Sequence, residues 1–321
     1  MKYSSKKVTD KRCLVLGGHG FIGSHLVERL AECGYKIRIF DRPLPKKGCE
    51  PEVVKENDIE FYSGDFTNES DLEAALEGVD YVFHLISTTT PKLSNENPIY
   101  DIETNLIGTI KLLDIAKTNN DIKLIFVSSG GTVYGEPSVT PIFEDHTTDP
   151  ICSYGISKLA IEKYLHLYNH LYELDYVILR VSNPYGEKQN PESAQGVIPV
   201  FMLKMLQNKS IHIWGDGSVA RDFIYIEDVV NALITAAETK SSKRIFNVGS
   251  GVPVSLNELV KTIESVSEKK VIVEYEQERK LDVPVNCLDV SLAADVLGWR
   301  PKVSMQDGLK KTWCWLQKNY Q

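Results

Sequence analysis

The sequence predicts an α/β protein built on a doubly wound parallel sheet, and three observations lead there. Cys13-Leu14-Val15-Leu16 is a short apolar run that passes through Gly17-Gly18-His19-Gly20-Phe21-Ile22-Gly23 straight into an amphipathic helical segment. Lys36-Ile37-Arg38-Ile39-Phe40-Asp41 reads as a second strand, ending in an acid 24 residues after Gly17. Strand-like runs at Ile59–Tyr62, Tyr81–Leu85, Lys123–Val127 and Tyr176–Val181 then alternate with helical ones at Ser70–Leu76, Ile99–Ala116 and Ser153–Tyr172. Alternation of this kind argues for parallel strands with helices on both faces, and the continuous Val, Ile, Leu and Phe runs fit strands covered on both sides.

The glycine loop is a phosphate cradle. Gly17 allows the tight turn, Gly20 lets backbone approach a pyrophosphate, and Gly23 lets helix and strand pack closely, while the helix N-terminus aims unpaired N–H groups at the anion. Asp41 at the tip of its strand accepts hydrogen bonds from the 2′- and 3′-hydroxyls of an adenosine ribose and repels a 2′-phosphate, so NAD is expected rather than NADP. Arg42 follows at once, placed to stack on adenine or meet a phosphate. Active residues are expected at the C-terminal ends of the strands.

After Arg180 the pattern becomes irregular. Asn183-Pro184-Tyr185-Gly186 precedes a helix near Gly196–Gln207, a strand at Ile211–Trp214, a Gly-Asp-Gly turn, and a further β/α piece around Phe223–Ala237 and Arg244–Val248. Ser255-Leu256-Asn257-Glu258 has the capping-box form that starts a helix, and short helices near Ser291–Leu297 and Ser304–Gln317 finish the chain. Without a repeat or a long linker, the smaller lobe is expected to interleave with the larger: residues 1–182 with about 223–249 as the dinucleotide domain, 183–222 with 250–321 as the substrate-binding domain.

The 321 residues carry 25% charged and 42% hydrophobic side chains, ordinary for a globular protein. A net charge of −8 does not suggest a nucleic-acid surface, so an anionic ligand must be held by local cations. No apolar run reaches membrane-spanning length. Six cysteines without CxxC spacing fit a reduced, cytoplasmic setting. His166 and His170 have helical i,i+4 spacing but no third ligand, and no metal is expected.

Tyr154-Gly155-Ile156-Ser157-Lys158 begins a helix, and the spacing of four puts phenol and ammonium on one face. A phenol near pKa 10 is a poor base at neutral pH; a neighbouring ammonium and a positive nicotinamide favour its phenolate. Such a pair can take a proton from a sugar hydroxyl while hydride leaves the same carbon. Phe126-Val127-Ser128-Ser129 ends the preceding strand with hydroxyls where a third catalytic group is needed.

These residues resemble the extended short-chain dehydrogenase/reductases, and among them the nucleotide-sugar epimerases of the UDP-glucose 4-epimerase type. The matching pieces span essentially the whole chain: the glycine loop, Asp41, Gly64-Asp65, Ser128-Ser129-Gly130-Gly131-Thr132-Val133-Tyr134-Gly135, Tyr154 and Lys158, Asn183-Pro184-Tyr185-Gly186, Arg221-Asp222-Phe223-Ile224-Tyr225, Arg279 and Asp282, and Gly298-Trp299-Arg300-Pro301. The resemblance implies a Rossmann sheet and a homodimer joined through Ile99–Ala116 and Ser153–Tyr172. It implies that Phe21, Ile22, Asp65, Phe66 and Leu85 contact NAD, that Tyr154 is the base, and that Lys158 bonds the nicotinamide ribose. Asn183, Val197, Arg221, Arg279 and Asp282 would hold a UDP-sugar, with arginines as forked donors to its diphosphate. The implied reaction is epimerisation at C4 through a transient 4-keto sugar that swings about the anchored UDP.

Two departures stand out. Counted back from Tyr134, the family's catalytic Ser or Thr position holds Gly130; Ser129 is the expected substitute, with Thr132 as the other hydroxyl. The stretch Ser87-Thr88-Thr89-Thr90 stands where the family has small residues and a cofactor-contacting lysine, and its hydroxyls either line the sugar pocket or begin a loop. The implied size gate against N-acetyl groups falls at Asn286 beside Cys287, so UDP-N-acetylhexosamines are expected to be tolerated. A 4,6-dehydratase would need a carboxylate in Gly130-Gly131-Thr132. A 4-keto reductase and a non-catalytic NAD sensor are the remaining alternatives, the sensor disfavoured by the intact Tyr154 and Lys158.

Overall fold

The computed structural model describes residues 9–42, 59–119, 121–193, 196–278 and 283–320. In chain order the strands are β1 (Arg12–Leu16), β2 (Lys36–Asp41), β3 (Ile59–Ser63), β4 (Tyr81–His84), β5 (Lys123–Ser129), β6 (Asp175–Val181), β7 (Asn183–Tyr185), β8 (Ile211–Trp214), β9 (Ala220–Tyr225), β10 (Ile245–Val248), β11 (Pro253–Ser255), β12 (Val273–Glu276) and β13 (Val285–Asn286). The helices are α1 (Phe21–Cys33), α2 (Glu69–Leu76), α3 (Pro91–Glu96), α4 (Pro98–Asp101), α5 (Gly108–Ala116), α6 (Ser153–Tyr172), α7 (Val197–Leu206), α8 (Ile226–Glu238), α9 (Leu256–Ser267) and α10 (Met305–Tyr320).

Seven parallel strands form the main sheet in the order β10-β6-β5-β4-β1-β2-β3. Chain order reverses between β1 and β4, which opens a crevice at the strands' C-terminal ends. Alternation along each strand divides the core. Cys13, Val15, Ile37, Ile39, Phe83 and Ile125 join a cluster with α1 and α8, whereas Leu14, Leu16, Phe40, Val82, Leu124 and Phe126 join one with α2, α5 and α6. The doubly wound sheet expected from the sequence is thus present, both faces dry.

Local chemistry sets the helix ends. The Asn68 side chain caps α2 by accepting from the Ser70 and Asp71 amides, and Ser255 with Glu258 closes the expected capping box on α9. The run expected as one helix at Ile99–Ala116 is α4 and α5 joined by a π-helical segment, Ile102–Ile107. The wider turn turns Thr104, Asn105 and Asp101 into the interior, where all three are buried. Helix α3 and the short strands β7, β11, β12 and β13 carry too few residues to show a period in the sequence.

The remaining strands build small sheets. β9 pairs with β7, β11 and β13, and β8 pairs with β12. Asp222 on β9, fully buried, accepts from the Ser250 amide and hydroxyl at 2.7 Å each, the Gly251 amide at 3.2 Å and the Leu288 amide at 3.3 Å. One carboxylate therefore ties the short sheet to the turn after β10.

A second buried node lies under α6. Arg180 on β6 meets Glu162 at 2.6 Å, both side chains being almost wholly buried. The same carboxylate accepts the Ser128 hydroxyl, and Arg180 stacks 4.8 Å from the Tyr134 ring, whose hydroxyl donates to Asn247. Removing one partner of such a pair strands the other charge in the interior. Arg180→Met should cost about 3–5 kcal/mol of unfolding free energy in urea titrations; a loss below about 1 kcal/mol would show that the pair carries no structural weight.

Candidate active site

The glycine loop has the shape a dinucleotide requires. Gly17 sits at φ +88, and a Cβ on Gly23 would fall 2.1 Å from the Gly17 carbonyl oxygen and 2.8 Å from the Gly18 Cα, so α1 passes too close to β1 for any side chain there. Gly20 is the N-cap of α1 and provides no side-chain bond, which leaves the first-turn amides, including those of Phe21 and Ile22, for an anion. Asp41 ends β2 beside this loop: one oxygen accepts the His19 amide at 2.9 Å and the other the Arg42 amide at 2.8 Å. The carboxylate thus holds the loop as well as facing the crevice. The residues present fit an NAD-type ligand.

The other expected cofactor positions lie along the same edge. Leu85 follows β4, its amide bonded to the Leu16 carbonyl. Asp65 is exposed and accepts both the Thr67 amide and hydroxyl, which holds its carboxyl below the usual range. Phe66 turns its ring inward, 5.1 Å from His84 and against Gly108, so its side chain serves the core. His84 is buried, bonded to Thr109, and pushed down to about 3 by burial and then by Lys158, so it stays neutral.

Tyr154 and Lys158 begin α6 where it meets the end of β5. The N-terminus of α6 is capped from outside: Asn95 accepts the Ser153 amide and Ser94 the Tyr154 amide, each at 2.9 Å. Buried Asp101 accepts from Ser157, Thr89 and Asn105, binding α4, α6 and the segment after β4 together. Lys158 is buried; its Nζ donates to the Val127 carbonyl at 3.0 Å and lies 5.6 Å from the Tyr154 ring centre. Burial pulls the ammonium down to about 8, opposed by the Asp101 and Glu162 carboxylates. Burial pushes the Tyr154 phenol up to about 12, opposed by the neighbouring Ser87 hydroxyl.

The loop after β5 explains the missing side chain at Gly130. A Cβ there would meet Leu288 Cδ1 at 2.5 Å and the Arg180 carbonyl oxygen at 3.1 Å, so Leu288, fully buried, fills the space. Ser128 is committed to Glu162. Ser129 points to the other side of β5 and is half-buried, while the Thr132 hydroxyl is buried with no bonding partner.

Three expected substrate residues converge on the short sheet. Arg221 on β9 lies opposite Asn286 on β13, and Asn183 on β7 opposite Phe223. Arg221 donates to the Ala220 and Val283 carbonyls, and Asn183 to the Asp222 carbonyl. Asn286 is buried, and its amide donates to the Gly130 carbonyl at 3.2 Å, joining this sheet to the loop after β5. Val197 starts α7 after Gly196, half-buried. Arg279 and Asp282 lie outside the described residues.

Sequence reading passed over Ser94, Asn95, Asp101, Glu162 and Leu288. Glu162 alone carried a signal, since it continues the Tyr154, Lys158 stripe by another four residues. His166 and His170 are exposed on α6, and no group of three His, Cys, Asp or Glu suited to a metal occurs among the described residues. No described helix is long and apolar enough to cross a membrane.

A reversed parallel sheet, a glycine cradle and a Tyr/Lys pair at the end of β5 define an extended short-chain dehydrogenase/reductase. The model of the NAD dependent epimerase/dehydratase family matches residues 13–249, and the chain belongs to that family. A UDP-glucose 4-epimerase of Mycolicibacterium smegmatis is 34% identical over 307 residues, covering 94% of this chain and 97% of the relative. The structure of a UDP-glucose 4-epimerase from Thermotoga maritima with UDP-glucose is 37% identical and superposes with a TM-score of 0.89, covering 97% and 100% of the two chains. A UDP-N-acetylglucosamine 4-epimerase from Methanobrevibacter ruminantium in complex with UDP-N-acetylmuramic acid is 33% identical, with a TM-score of 0.91 and coverage of 97% and 99%.

Gly23→Ala should abolish NAD binding in isothermal titration while leaving the far-ultraviolet spectrum folded, because its Cβ displaces the backbone that lines the cradle. Retention of wild-type affinity would refute the cradle.

Proposed function

We propose that this chain interconverts UDP-hexoses by NAD-dependent epimerisation at C4. The observation that carries the proposal is the Tyr154 phenol with the buried Lys158 ammonium beside it, at the end of β5, two strands along the sheet from β1 and its glycine cradle. NAD, when bound, supplies a reversible two-electron oxidant for the sugar carbon. Tyr154 takes the O4 proton and later returns it. Lys158 stabilises the phenolate and bonds the nicotinamide ribose. Ser129 holds the sugar oxygen, with Thr132 as the neighbouring hydroxyl. Asn183, Val197, Arg221, Arg279 and Asp282 hold the UDP, so that binding far from C4 retains the 4-keto sugar while it turns. Gly17, Gly20, Gly23, Phe21, Ile22, Asp41, Arg42, Asp65 and Leu85 are assigned to the cofactor, whereas the buried Phe66 ring packs in the core. Residues 1–182 with about 223–249 are assigned to its domain, and 183–222 with 250–321 to the sugar nucleotide.

Neither Asn286 nor Cys287 is bulky, which supports acceptance of UDP-N-acetylhexosamines as well as UDP-glucose and UDP-galactose. The loop Gly130-Gly131-Thr132 carries no carboxylate, which disfavours dehydration. Exposed Ile99, Ile102 and Ile107 on one helical segment and Ile156, Leu167 and Leu171 on α6 support a homodimer packed through these helices; light scattering should show twice the chain mass, and Leu167→Asp with Leu171→Asp should halve it. Free thiols at the five described cysteines agree with a cytoplasmic setting.

Incubated with NAD and each of UDP-glucose, UDP-galactose, UDP-GlcNAc and UDP-GalNAc, the protein should form the C4 epimer by NMR. Tyr154→Phe should lower kcat by about 10²–10⁴-fold. A Tyr154→Phe variant with wild-type turnover would overturn the assigned base, and no interconversion of any pair would overturn the reaction.

A further inference from the structure

An ammonium buried without a carboxylate in contact needs another partner, and Lys158 is in that position. Its Nζ donates to the Val127 carbonyl at 3.0 Å, and among the described residues it forms no ion pair. The oxygens of Asp101 are taken by Ser157, Asn105 and Thr89, and those of Glu162 by Arg180 and Ser128. The second contact of Nζ is aromatic: the Phe126 ring centre lies 4.7 Å away, closer than the Tyr154 ring at 5.6 Å. We propose that Phe126 is a positioning residue of the reaction, its ring face holding the Lys158 ammonium beside Tyr154 by a cation–π contact. The proposal rests on Lys158 serving Tyr154 and goes beyond that reading.

Strand alternation sets up the contact. Phe126 and Ser128 stand two apart on β5 and face α6, while Val127 between them turns to the other side of the sheet. Lys158 lies over the first, Glu162 bonds the second, and Val127 offers Lys158 its carbonyl. Phe126 is fully buried, so no water competes with its ring for the cation. The ring is fixed from β4 as well: His84, its register partner, packs edge-on against it at 5.3 Å and 62°. Thr109 gives its own hydroxyl to the Asn105 carbonyl at 2.6 Å and so accepts from the His84 Nε2 at 2.8 Å. The imidazole is neutral and adds no positive charge beside the ring.

An aromatic face suits this lysine better than a carboxylate in contact would. An ammonium has three N–H donors, and a bonded carboxylate would occupy them and cancel the charge that a phenolate needs. A π face attracts the cation without neutralising it, and leaves the N–H groups not bonded to Val127 for other acceptors. The groups that face Nζ are Tyr154 and Glu162 on its own helix, Asp101 on α4, His84 on β4 and Phe126 on β5. Burial draws the ammonium down to about 8, with the two carboxylates opposing it. Phe126 attracts the charged form alone, so losing its face favours the neutral amine.

The test replaces Phe126 alone with phenylalanines carrying one, two and three ring fluorines, and sets Phe126→Leu beside them. Fluorine draws electron density from the ring face while nearly keeping its shape. In protein without added sugar, lysine isotope-labelled at Cε reports on Lys158 by NMR, its signal assigned by its loss in Lys158→Met. The titration midpoint should fall stepwise with each fluorine, and by about one unit in Phe126→Leu. With saturating NAD, the basic limb of the kcat–pH profile for the UDP-hexose pair that wild type turns over should move down by the same steps, KM unchanged, because the ammonium is lost at a lower pH. Should Phe126→Leu not fold, the fluorinated series decides by itself. A Lys158 midpoint that keeps its wild-type value in the trifluorinated form, or that shifts without regard to fluorine number, would overturn the proposal. Wild-type protein that turns over no UDP-hexose would sink the epimerase reading alone, and the Lys158 titration would then decide on Phe126.

Discussion

Keeping an ammonium charged in a dry interior is the constraint on which the rest of this structure depends. Lys158 is buried at the junction of β5 and α6, and burial alone drives it toward the neutral amine. Two buried carboxylates oppose that drive, Asp101 from one side and Glu162 from the other. Each needs its own support. Asp101 has hydroxyl and amide donors from Thr89, Asn105 and Ser157, and Glu162 has Arg180 and Ser128. The chain of support reaches from the π-helical segment after α4 to β6, and the phenol at the end of it inherits a field that no single neighbour could set.

The same economy of space links the two lobes. Leu288, from the segment after β13, takes the volume that a side chain at residue 130 would need, and Asn286 bonds the Gly130 carbonyl. The short sheet is thus seated directly on the loop after β5.

Much of this was legible from residue order alone. The glycine loop, Asp41 and the Tyr154, Lys158 spacing are local patterns whose meaning is contained within a few residues, and the alternation of apolar strands and helices is a long-range pattern that survives irregular detail. The capping box at Ser255 and Glu258 is likewise local, and it formed as read. What could not be read were contacts between segments distant in the chain. Nothing near Gly130 announces Leu288, 158 residues later. Nothing near Tyr154 announces that Ser94 and Asn95 cap its helix, since a helix as short as α3 shows no period. The choice left open for Ser87 to Thr90 was beyond sequence because it depends on which hydroxyl Asp101 captures. Arg279 and Asp282, implied by the family resemblance, lie outside the described residues.

In the proposed reaction the phenol and its ammonium move one proton on and off O4 while the C4 hydrogen leaves and comes back to the same carbon. The most direct check is to supply a UDP-hexose deuterated at C4 in ordinary water and follow the label in the epimer by NMR. Full retention of deuterium at C4, together with no uptake of solvent deuterium when the labels are reversed, is what the account predicts. Loss of the label to solvent would mean that the carbon is deprotonated rather than oxidised, and the account would be wrong.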